Sequence, residues 1–153
     1  RISRAGSLPV HRPGSPLQIG KGRVLLDGKD LTLIALGTMV GRCAAAAGQL
    51  ATLGIDARLV EMHTLKPLDC EMVIQSAAET GAIVTAEEHS IIGGLGGAIS
   101  EVLGEYQPVP VERVGIRDYF CPTGRDLDKL MDACGLSVQA IIDASQKVLA
   151  RKK

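Results

Sequence analysis

Tryptophan is absent, and Tyr106, Tyr119 and Phe120 are the only other aromatic residues besides histidine. A core here must be built from Leu, Ile, Val, Ala and Met. Net charge is missing too: 17 basic residues balance 17 acidic ones, which removes the electrostatic case for nucleic acid or an anionic membrane surface. No apolar run reaches the roughly 20 residues of a spanning helix, and no secretory leader is read at the N-terminus. Cys43, Cys70, Cys121 and Cys134 form no CxxC pair, and no Cys, His or Asp partners stand at metal-ligand spacing. The four read as free thiols of a reducing, cytoplasmic compartment. Signatures of an autonomous hydrolase are likewise missing, with no G-x-S-x-G elbow, no H-E-x-x-H and no Cys/His pair with a supporting residue nearby.

What remains is one domain of 153 residues, 46% apolar, long enough to bury a core on both faces of a sheet. Its centre is 82–105, AIVTAEEHSIIGGLGGAISEVLGE. A short apolar strand over 82–86 delivers Glu87, Glu88 and His89 to its carboxyl end. Gly93, Gly94, Gly96 and Gly97 then feed a helix with apolar Leu95, Ile99, Val102 and Leu103. GGLGG is neither the dinucleotide fingerprint nor a phosphate loop. Its glycines either let the turn and helix start lie close against other backbone or face a ligand's phosphate. His89 is either a structural post or a proton shuttle. Adjacent Glu87 and Glu88 point to opposite faces of a strand, so no acid–base pair is identified.

Residues 1–20, with Pro9, Pro13 and Pro16, deny a regular helix and read as an extended connector from an upstream domain, leaving 21–153 as the folded unit. A strand over 22–26, the turn Asp27-Gly28 and a buried strand over 31–36 predict a hairpin. Thr38 is the expected N-cap of a helix over 40–53 that Gly54 ends. A strand over 57–62 follows, then Pro67, and Asp69 caps a helix that Gly81 terminates. After the helix over 95–106, a strand over 111–116 leads to Arg117, Asp118, Tyr119 and Phe120. A short helix over 126–134 and a last helix capped by Ser137 complete the chain, with Arg151, Lys152 and Lys153 at its dipole's negative end. Alternating strands and helices predict a three-layer α/β domain whose five-stranded sheet is mostly parallel, with one antiparallel edge strand.

Four stretches in order carry a resemblance: IGKGRVLLDGKDLTLIALGTM at 19–39, GIDARLVEMHTLKPLD at 54–69, GAIVTAEEHSIIGGLGGAISEVLGE at 81–105 and VPVERVGIRDYF at 109–120. Over nearly its whole length the chain resembles the C-terminal domain of the transketolase family of thiamine-diphosphate enzymes, above all the C-terminal subunit of transketolases split over two polypeptides. Deoxyxylulose-phosphate synthase and the β subunits of 2-oxoacid dehydrogenases are similar more loosely. One departure is Cys121, which stands where the family's RDYF segment is usually followed by Gly.

The resemblance implies a structural, non-catalytic domain of a holoenzyme that transfers two-carbon ketol units between sugar phosphates in the pentose phosphate pathway. Thiamine diphosphate and Mg²⁺ would be bound by upstream domains or an N-terminal transketolase subunit, with no cofactor or metal site in this chain. It also implies a dimer or other homo-oligomer. Ile2-Ser3-Arg4 resembles the end of the middle domain, which would make Arg4 a substrate-phosphate ligand. The expected interface comprises Glu87, Glu88, His89, Gly93, Gly94, Gly96, Gly97, Arg117, Asp118, Tyr119 and Phe120, where scarce aromatics stand near an arginine. A free-standing small-anion-binding or regulatory module is the reading from another class.

Overall fold

The computed structural model describes residues 9–12 and 14–152. Arg4, and Lys153 at the last helix's end, lie outside the described residues. Strands β1 (Arg23–Leu26), β2 (Leu31–Ala35), β3 (Ala57–Glu61), β4 (Ile83–Ser90) and β5 (Val111–Ile116) alternate with helices α1 (Met39–Thr52), α2 (Cys70–Thr80), α3 (Leu95–Tyr106), α4 (Leu127–Ala133) and α5 (Val138–Ala150). They form one five-stranded sheet in the order β1-β3-β2-β4-β5. β2, β3, β4 and β5 run parallel, and β1 lies antiparallel on the edge. The expected three-layer architecture with an antiparallel edge strand is therefore present.

The expected hairpin is not. β1 pairs with β3, Arg23 opposite Glu61 and Val24 opposite Val60, while β2 takes β3 on one side and β4 on the other. Every residue of β2 is buried, and such a strand is more stable with a parallel neighbour on each side than at a hairpin's edge. Gly28 serves the crossing rather than a two-residue turn. A Cβ there would lie 2.4 Å from the Ala57 carbonyl carbon and the Arg58 nitrogen, and the next two amides, of Lys29 and Asp30, donate to the Asp56 carbonyl.

Alternation along the strands sorts two cores. Leu31, Leu33, Leu59, Val84 and Val114 pack with α1 and α5; Ile34, Val60 and Ile83 pack with α2 and α3. Neither contains an aromatic ring: Tyr106, Tyr119 and Phe120 are all exposed.

Most helix boundaries follow their caps. Asp69 accepts from the Met72 amide and Ser137 from the Ala140 amide, and Gly81 closes α2 in the left-handed region at φ +64°. Thr38 is the exception. Its backbone is already helical and its side chain makes no capping bond, because the hydroxyl donates to Glu88 Oε2 at 2.6 Å instead. The cysteines also depart from expectation. Cys43 is buried and Cys70 exposed as free thiols, whereas Cys121 and Cys134 are joined as a disulfide.

Candidate functional site at the carboxyl edge of the sheet

β4 runs on through Ser90, so Glu87, Glu88 and His89 belong to the strand and divide between its faces. Glu87 is 1% exposed. Its Oε2 accepts from the Leu95 amide at 2.7 Å and its Oε1 from the Gly96 amide at 2.8 Å. These are N-terminal donors of α3 that lack intrahelical partners, at the positive end of the helix dipole. The glycines exist for this approach. A Cβ on Gly94 would stand 2.0 Å from Glu87 Oε2, and one on Gly96 would stand 2.7 Å from Thr85 Oγ1 and 2.8 Å from Arg113 Cδ. Gly93 turns the chain at φ +72°, and Gly97 meets nothing within 4 Å. Where such a loop elsewhere holds a phosphate, this chain places its own carboxylate. A small-anion site at this turn is thereby closed.

Glu88 faces the other way, to Thr38 before α1. The His89 side chain is 43% exposed. Its Nδ1 donates to the Ser90 carbonyl at 2.9 Å, a tautomer that leaves Nε2 as the accepting nitrogen. The Ile91 amide donates to the Ile116 carbonyl, and Arg113 Nη1 donates to the Ile91 carbonyl, both at 3.0 Å. Those bonds lay the loop after β4 against the end of β5 and bring it to the same edge as residues 117–120. There Ile92 is 61%, Tyr119 46% and Phe120 102% exposed; Arg117 and Asp118 are exposed beside them. Below this segment a cavity of about 430 Å³ opens between β5, α4 and α5, lined by Val114, Arg117, Tyr119, Cys134, Ala140 and Ala144 among others. Of the expected interface residues, Glu87, Gly94 and Gly96 are buried supports, and the others are at least partly open.

A further contact at this edge carries no sequence signal. His11 Nε2 lies 2.8 Å from Glu61 Oε2, whose side chain is 10% exposed, and Arg23 Nη1 lies 3.4 Å from His11 Nδ1. The Gly20 amide donates to Thr64 Oγ1 and the Gly22 amide to Asp69 Oδ2. Thus the proline-rich segment is strapped across the end of β3, and the chain enters the domain at the edge that carries the exposed aromatics. Only its pairing side by side could reveal this, since the contacts span 44 to 50 residues.

Among the described residues no three His, Cys, Asp or Glu side chains stand together as a metal site. Among the described residues no helix is long and apolar enough to cross a membrane.

A family model described as "Transketolase, C-terminal domain" matches residues 20–141. The chain is 43% identical over 152 residues to the 6-deoxy-6-sulfo-D-fructose transketolase subunit SqwH of Clostridium sp. (strain MSTE9), covering 99% of itself and 47% of that protein. It is 40% identical to the 1-deoxy-D-xylulose-5-phosphate synthase of Desulfitobacterium hafniense (strain DSM 10664 / DCB-2), covering 88% of itself and 22% of that protein. A solved structure titled "Split gene transketolase, inactive beta4 tetramer" superposes with a TM-score of 0.93 at 45% identity, over 98% of this chain and 49% of that one. The chain thus spans half or less of these relatives.

Proposed function

Because the chain belongs to the transketolase C-terminal domain family, we propose that it is the non-catalytic structural part of a thiamine-diphosphate-dependent transketolase that moves two-carbon ketol units between sugar phosphates. The observation carrying this reading is that Glu87 fills the N-terminus of α3, where a ligand-binding α/β domain would take an anion. That edge is left as a docking face of Ile92, Tyr119, Phe120, His89 and Arg117. Its occupants are a second copy of the chain and the upstream thiamine-binding domains or N-terminal subunit. The similarity to a split-gene transketolase structure titled a beta4 tetramer supports both. In this reading thiamine diphosphate and Mg²⁺ belong to the upstream part, Arg4 holds a substrate phosphate, and the protein is cytoplasmic.

Titration calorimetry of the chain without its partner should give no micromolar binding of thiamine diphosphate with Mg²⁺; such binding would overturn the division of labour. In the reconstituted holoenzyme, Arg4→Ala should raise KM for phosphorylated substrates and leave cofactor affinity unchanged. Unchanged kinetics would remove Arg4 from the site. Phe120→Ala and Ile92→Lys should dissociate the assembly in sedimentation velocity while circular dichroism stays native. Gly96 is no surface probe, since a side chain there strikes Thr85 and Arg113. The similarity to deoxyxylulose-phosphate synthase supports a second reading, in which the holoenzyme condenses a 2-oxoacid with an aldose phosphate. Product analysis with ketose-phosphate and 2-oxoacid donors separates the two.

A further inference from the structure

Cys121 and Cys134 are joined with their Cα atoms 6.1 Å apart and a separation of 13 positions in sequence, within the span that a disulfide bridges. Cys121 directly follows Phe120, and Cys134 is the C-terminal cap of α4. From 117 to 129 every residue is exposed except half-buried Cys121. Among the described residues no hydrogen bond ties 117–125 to the rest of the chain. Cys121 packs against the larger core, and Cys134 is 5% exposed within it. The sulfur pair is therefore the tie that holds the aromatic segment to the domain.

We infer that Cys121 and Cys134 are a reversible dithiol–disulfide pair that orders the 117–126 segment and so regulates the docking face; the regulation rests on the assembly reading proposed above. The chemistry is exchange with a low-molecular-weight disulfide. Cys121, the more open of the two, attacks as thiolate, breaks the reagent's S–S bond and releases one reagent thiolate. Cys134 then attacks Cys121 Sγ and expels the second. Two protein thiols and one reagent disulfide become one protein disulfide and two reagent thiols, which take up the two protons. The other cysteines do not compete for this partner. Cys43 is fully buried and its thiol is pushed up to about 12 by burial, and Cys70 begins α2, beside the opposite core.

The test compares the full protein in oxidised glutathione and in dithiothreitol. Oxidation should remove two hydrogen masses per chain, with the cross-link mapped to Cys121–Cys134. It should slow hydrogen exchange over 117–126 and tighten self-association by about tenfold, the equivalent of ordering one backbone residue. Cys121→Ser should behave as the reduced form in both buffers, and Cys70→Ser should change nothing. Failure of the cross-link to form under an oxidant that modifies Cys70 overturns the proposal, as does a cross-link that leaves exchange over 117–126 unchanged. If exchange slows but neither oxidation nor Phe120→Ala alters assembly, the assembly reading falls and its regulation with it, while the ordering disulfide stands.

Discussion

Replacing Glu87 by Gln removes the charge that α3 is built on. The carboxylate accepts two backbone amides, from Leu95 and Gly96, at 2.7 and 2.8 Å, in a site where the residue is 1% exposed. A hydrogen bond to an ionised group contributes about 1.5–3 kcal/mol. The glutamine amide keeps one acceptor and turns an NH₂ toward the other backbone donor, so one bond is lost and the remaining one is no longer charge-assisted. The expected cost is roughly 2–4 kcal/mol, which includes the lost dipole interaction. For a domain of this size that lowers Tm by about 4–16 °C. Urea unfolding is the assay: the midpoint should fall with the slope unchanged.

A double-mutant cycle makes the reasoning sharper. Gly94→Ala alone sets a methyl 2.0 Å from Glu87 Oε2 and 2.7 Å from the Ser90 carbonyl oxygen, and overpacking of this kind costs about 1–3 kcal/mol. With Glu87→Ala already made, the first clash is gone and only the second remains. The double variant should therefore be more stable than the sum of the single costs implies, by about 0.5–3 kcal/mol. A loss below about 0.5 kcal/mol for Glu87→Gln, or a strictly additive cycle, would refute the claim that the glycines serve the carboxylate.

Glu112 is pushed up by burial, but bonds from Lys147 and Arg151, at 2.8 and 2.5 Å, outweigh that and leave its carboxyl below the usual range. Its stabilisation is present above the ordinary carboxylate pKa and is lost as pH falls through the lowered one. Since the Lys147 and Arg151 side chains are 65% and 51% exposed, Glu112→Gln should cost only about 1 kcal/mol near neutrality. That gap should close in acid urea titrations, and an equal gap at both ends would contradict the assignment. His11→Ala leaves Glu61 buried without its partner, so tryptic cleavage after Lys21, which Gly22 follows, should accelerate; an unchanged cleavage rate would show that the strap is held elsewhere. In native protein a maleimide should label Cys70 quickly and spare Cys43, whose thiol sits at about 12 through burial, until denaturant is added; rapid native labelling of Cys43 would refute its burial.

Local signals carried far where the structure is local. Asp69, Ser137 and Gly81 sit where helix caps are expected because each satisfies or redirects backbone within a few residues. Strand order is a different matter. Asp27-Gly28 looks like a hairpin turn, yet the pairing of β1 was decided by β3, whose residues come about 35 positions later. Thr38 had the side chain of a cap and lost it to Glu88, 50 residues away. Composition showed that aromatics were too few to build the core but not that all three stand outside it. The two glutamates were legible as facing opposite sides, and their partners were not: periodicity gives a direction, and only the fold supplies what lies there.

The carboxyl edge of a parallel sheet collects helix N-termini, and two of the three that follow β2, β3 and β4 here take a carboxylate of this chain on their first amides. Glu88 holds Thr38 ahead of α1, Asp69 caps α2 while also taking the Gly22 amide of the entering strand, and Glu87 takes the first amides of α3. The ends of α2 and α3, which would attract a free anion, are thus neutralised from within. The same bonds tie loop to strand and strand to connector, which stiffens the edge. Exposed on it are Ile92, Tyr119 and Phe120, apolar groups whose burial against another surface is favourable and costs no unpaired charge. On the reading proposed above, an edge that in many α/β domains binds small ligands serves here as a face for protein.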